Sequence, residues 1–121
     1  MDVKELAQNV GLEEEEFIEL AEIFLEACVS DLDRLEHALV IEDAQGVSVA
    51  AHSIKGAAVN LGIDEVFELS KEIELRAGRN CFDESDQTVS ALKEKLCLLA
   101  EMLKPKKTTK SEQMARGVSN S

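Results

Sequence analysis

"DAQGVSVAAHSIKGAAVNLG", residues Asp43 to Gly62, reads as one amphipathic helix with its own start and stop signals. Asp43 is an N-cap by residue type, because its carboxylate can accept from the open backbone N–H groups of a first turn. Ala44, Val47, Ala51, Ile54, Ala58 and Leu61 then recur at steps of three and four, which lays them on one stripe. Gly62 suits the left-handed residue that closes a helix. A stripe of this kind must be covered by other elements, so the flanking segments decide the architecture.

On the N-terminal side, Val3, Leu6, Ala7 and Val10 form a short amphipathic segment that Gly11 ends. Glu13 to Glu16 then occupy the first turn of a long second helix, where carboxylates favour the positive end of the helix dipole. Phe17, Leu20, Ala21, Phe24, Cys28, Leu32, Leu35 and Leu39 extend it over about residues 12 to 40. On the C-terminal side, Asp64 is read as the cap of a fourth helix, with Val66, Ser70, Ile73 and Ala77 in line, Phe67 and Leu69 flanking, and Gly78 and Asn80 stopping it. A fifth begins near Asp83 or Ser85, presents Val89, Leu92, Leu96, Leu99 and Leu103, and ends at Pro105. None of these segments alternates like a strand, and no fixed-period repeat suggests a solenoid. The pattern predicts an all-α, antiparallel four-helix bundle over residues 1–104, with the short N-terminal helix packed as a lid. Residues 105–121 are expected to be a basic, polar, solvated tail, and Met1 just ahead of the first helix fits a chain expressed on its own.

The composition narrows the partners. Aromatic residues make up 3% of the chain, with no Trp or Tyr, and the formal charge is −12. From Lys104 onward five basic residues face only Glu112, a net +4, which leaves −16 on residues 1–103. A body this acidic opposes nucleic acid and anionic membrane surfaces, both of which need cations on the contact face. No basic leader or long apolar run is present, so a soluble, cytoplasmic monomer is expected. Cys28, Cys81 and Cys97 are odd in number, widely spaced and each in or beside an apolar pattern, and are expected to be buried free thiols.

His52 lies well over 90° round the helix from the centre of the apolar stripe, so its ring should face solvent. Lys55 and Gly56, at i+3 and i+4, are its surface neighbours. Gly56 is nearly opposite the stripe, where bundle packing does not require a missing side chain, yet glycine costs about 1 kcal/mol relative to alanine there. The open space suits something arriving from outside: another protein, or a tetrahedral phosphoryl group on the imidazole. A histidine is largely neutral and nucleophilic near pH 7, and a nearby ammonium can neutralise phosphoryl charge. His37, between Glu36 and Ala38, has no such neighbours and reads as a solvated surface residue.

"HSIKGAAVNLG" resembles the signature of histidine-containing phosphotransfer (HPt) domains, His-x-x-Lys-Gly followed by small residues and Leu-Gly. "LGIDEVFELSKEIE" is similar to that family's next helix, and the resemblance spans residues 1 to about 104. It implies a His–Asp phosphorelay. His52 would be the phosphoacceptor, taking the group from a receiver-domain aspartate or a sensor or hybrid histidine kinase and passing it to a receiver aspartate. Lys55 would help hold the phosphoryl group and Gly56 would keep the site open. Ile54 stands where the family often has Leu, and Ala57 and Ala58 where Ser is frequent. Ser48, Val59 and neighbours on the third and fourth helices would form the docking face, with Lys71 at its rim. No cofactor is expected on this chain; Mg²⁺ would belong to the response-regulator receiver partner.

Other chemistries lack parts. Val49 and Arg34 stand where a di-iron bundle would place Glu three residues before each histidine. Clustered zinc ligands and a Walker-type glycine-rich loop are both missing from the sequence, so neither a metal site nor ATP-dependent self-phosphorylation is expected. The competing readings are a receiver-docking adaptor that is never phosphorylated and a purely structural helical bundle.

Overall fold

The computed structural model describes residues 2–82 and 85–103. Five helices follow in order: α1 Val3–Asn9, α2 Glu14–Val40, α3 Ala44–Leu61, α4 Asp64–Gly78 and α5 Ser85–Leu103. Helices α2 to α5 form the four-helix bundle, in which α3 packs on both α2 and α4, α4 on α5, and α5 closes back on α2. The short α1 lies against α2 and buries Val3, Leu6 and Ala7. Pro105 and the basic tail lie outside the described residues.

Local chemistry sets the ends of α3. Asp43 accepts from the Gly46 N–H at 3.1 Å, and Gly62 adopts φ +68° with its N–H turned back to the Ala58 and Val59 carbonyls. The Ile63 N–H reaches Ala58 O at 3.0 Å, which completes the closing turn. At the start of α2, the Glu16 carboxylate accepts from the Glu13 N–H at 3.1 Å, so the acidic run does serve as a helix start. Asp64 does not act as a cap: Ile63 holds the N-cap position and Asp64 is the first helical residue of α4. Its charge still lies at the favourable end of the dipole.

The apolar stripes meet in one core. Phe17, Leu35, Ile54, Ile73 and Leu92 are almost wholly removed from water, each contributing on the order of 1.5–3 kcal/mol of transfer free energy. Ala50, Ala51 and Ala58 are buried too, and their small side chains let α3 sit close to its neighbours. Leu20 departs from the expected stripe, with 45% of its surface exposed, because it falls at the edge of α2 beyond the reach of a covering helix. Ala44 is likewise only half-buried at the first turn of α3. Asp31 does the reverse: an acidic residue only 7% exposed occupies a core-facing position of α2. The thiols also divide, Cys28 being buried while Cys81 and Cys97 are exposed, since the latter two fall on the loop after α4 and the outer face of α5. Among the described residues, no helix is long and apolar enough to cross a membrane.

Candidate functional site

Helix α3 turns its buried stripe inward and leaves His52 outside, with 67% of its side chain exposed. The ring is nevertheless held. Its Nδ1 stands 3.1 Å from Oε2 of Glu74, a residue of α4. The other oxygen of that carboxylate, Oε1, is 2.7 Å from Nζ of Lys55. One carboxylate therefore binds both the imidazole and the ammonium, joining α3 to α4 at the point where the imidazole is displayed. Lys55 and Glu74 are about three-quarters buried, so this pair is less screened than a free surface ion pair.

The electrostatics follow from that contact. Partial burial pushes the Glu74 carboxyl up, but hydrogen bonds from Lys55 and His52, reinforced by their charges, outweigh it and hold the group below its ordinary value of 4.5. Glu74 is thus an anion at neutral pH. An anion beside Nδ1 selects the tautomer that carries its proton there, which places the lone pair of the neutral ring on Nε2. Nε2 is then the nitrogen available to an electrophile.

The surface at Gly56, four residues after His52 on α3, is open. A Cβ built on this glycine would meet nothing within 4 Å, so its bareness serves no contact inside the described fold. Val59, one turn on, is 58% exposed, and Ser48, one turn before His52, is half-buried. Lys71 is exposed on α4, its ammonium 5.9 Å from the centre of the Phe67 ring. Leu75 is exposed immediately after Glu74 in sequence. His37 is exposed on α2. Among the described residues, no group of three or more His, Cys, Asp or Glu side chains could hold a metal ion.

Sequence reasoning missed Glu74. It stands in a run, "KEIELR", with two glutamates, and nothing in the spacing separates the one that faces α3 from the one that pairs with Arg76 along α4. The signal is tertiary, because the residue lies 22 positions from His52 and joins it only when α3 and α4 pack.

Residues 19–104 match the family described as the Hpt domain. The chain belongs to the Hpt domain family. A solved structure, the histidine-containing phosphotransfer protein B (HptB) from Pseudomonas aeruginosa PAO1, superposes on this Hpt domain with a TM-score of 0.73 at 25% sequence identity. The similarity covers 85% of this chain and 90% of that one. Comparison with curated protein sequences gives no match. The Hpt domain thus has the fold of a phosphorelay carrier, with an exposed, tethered histidine on its third helix.

Proposed function

We propose that this Hpt domain carries a phosphoryl group on Nε2 of His52 between an aspartyl phosphate of one receiver domain, or a sensor or hybrid histidine kinase, and the aspartate of another receiver. The observation that carries this reading is the exposed imidazole fixed through Nδ1 by Glu74, with Gly56 leaving its approach clear. In the transfer from a receiver, the Nε2 lone pair attacks phosphorus, an N–P bond forms, and the P–O bond breaks with its electrons returning to the aspartate. Such a transfer asks for in-line positioning and charge neutralisation more than for acid–base chemistry. Lys55 is the cation within reach, and its move from Glu74 to the phosphoryl oxygens would supply part of the neutralisation. A Mg²⁺ site on the receiver partner would supply the rest.

Docking would rest on the surface around His52: Val59 and Ser48 on α3, and Lys71 at the rim on α4. Because residues 1–103 carry −16, long-range attraction to an acidic receiver pocket is weak or repulsive, and short-range apolar fit at Val59 carries recognition.

Phosphotransfer profiling of the wild type and His52→Gln against the receivers of the same cell tests the reading. The wild type should gain an acid-labile, base-stable label and His52→Gln none. Its fold should be intact, since the replaced ring is largely solvated. A wild type that binds a phosphorylated receiver without taking label is a docking adaptor, and label persisting on His52→Gln removes His52 from the role.

A further inference from the structure

The Glu74 carboxylate does more than aim a resting imidazole. When neutral His52 attacks through Nε2 with its proton on Nδ1, the product ring has three substituents on each nitrogen and is an imidazolium bearing a phosphoryl group. If that ring keeps its Nδ1 proton, breaking the N–P bond returns the electron pair to Nε2 and releases a neutral imidazole. If the proton has left, the same step would have to expel an imidazolate, a far poorer leaving group. Whether His52 passes its cargo on therefore depends on who holds the Nδ1 proton, and Glu74 Oε2 sits 3.1 Å from that atom.

We propose that Glu74 is a positioning residue that retains the Nδ1 proton of His52 through the phosphorylated state, so that the carrier stays competent to release its phosphoryl group. This rests on the reading of His52 as the carrier. The surroundings support the assignment. Helix α4 brings Glu74 and, three residues earlier, Lys71 to this side of α3, and α3 itself brings Lys55. Helix α2, on the other flank, brings Asp31 and Arg34, which are bound to each other, with Asp31 also bound to Ser53. Glu74 is the carboxylate hydrogen-bonded to the ring.

Lys55 makes the hold responsive. In the resting protein its ammonium at 2.7 Å neutralises much of the Glu74 charge. A phosphoryl group on Nε2 competes for that ammonium. As Lys55 shifts toward it, more of the carboxylate's charge is left for the Nδ1 proton, so arrival of the cargo strengthens the contact that permits its departure.

The test uses the full chain, wild type and Glu74→Gln, phosphorylated by the small phosphodonor phosphoramidate. Loss of phosphohistidine is followed from pH 5 to 9, with circular dichroism confirming that both are folded. Both rates should fall as pH rises and the Nδ1 proton leaves, but in Glu74→Gln the fall should come about one pH unit lower. Coincident profiles overturn the proposal. The ¹⁵N resonance of Nδ1 in the phosphorylated wild type provides a reading that needs no variant. It should remain that of a protonated nitrogen at a pH where phosphohistidine in the urea-unfolded chain has lost its proton, and equal titration in the two states overturns the proposal as well. A wild type that takes no label at His52 overturns the carrier reading first, and this inference with it.

Discussion

The Ser53 hydroxyl donates to Oδ2 of Asp31 across 2.7 Å, tying α3 to α2 one residue after His52. Asp31 is a carboxylate set in an otherwise apolar stripe, and its other oxygen takes a 3.3 Å bond from Arg34. The contact is part-buried, with Asp31 as its buried end, so removing Ser53 leaves that carboxylate short of a donor, whereas removing both with apolar groups is closer to neutral. Ser53→Ala should therefore cost about 1–2 kcal/mol. Combining it with Asp31→Leu should recover most of that loss. Urea midpoints of the two single variants and the double variant measure the coupling, and strict additivity would deny it.

Gly56→Ala separates stability from function. A Cβ there meets nothing in the fold, and alanine is the better helix former by about 1 kcal/mol, so Tm should rise by a few degrees. On the proposed function, phosphotransfer from a receiver should slow by roughly tenfold, or about 1.4 kcal/mol, because the added methyl would stand in the partner's approach. A variant that is both more stable and equally fast would show that the open space has no use in docking.

The bridge to Lys55 and His52 also marks the acid limb of stability. Glu74 titrates below its ordinary value of 4.5 in the fold, so its anion stabilises the native state above that value. The contribution is lost as pH falls through the lowered value. Between pH 6 and pH 3, the unfolding free energy of wild type should fall more steeply than that of Glu74→Gln, which has no proton to take up. Parallel curves from chemical denaturation would mean that the contact adds nothing to stability.

The thiols differ by environment. Burial first, and then the Asp31 charge, push the Cys28 thiol up to about 12, while Cys81 and Cys97 are exposed. A maleimide at pH 7 should modify Cys81 and Cys97 in the native protein and reach Cys28 only after unfolding. Mass spectrometry of the modified chain counts the adducts, and rapid native labelling of Cys28 would contradict its burial.

The sequence by itself determined the helices and the face that carries the histidine. Steps of three and four at Val47, Ala51, Ile54, Ala58 and Leu61 set the inner stripe of α3, and local capping by Asp43 and Gly62 set its ends. With the stripe placed, helical geometry alone put His52, Lys55 and Gly56 on neighbouring surface positions, because residues three and four apart are adjacent on any α-helix. The edges of the pattern were less legible. Leu20 and Cys97 have apolar character but stay exposed, and Asp31 is polar yet finds Ser53 across the α2–α3 seam. Only the tertiary structure decided that Glu74 is the residue that grips the imidazole and the ammonium together. Its hydrogen bonds cross from one helix to another, and they depend on the depth and register at which α4 packs against α3 rather than on any spacing along the chain.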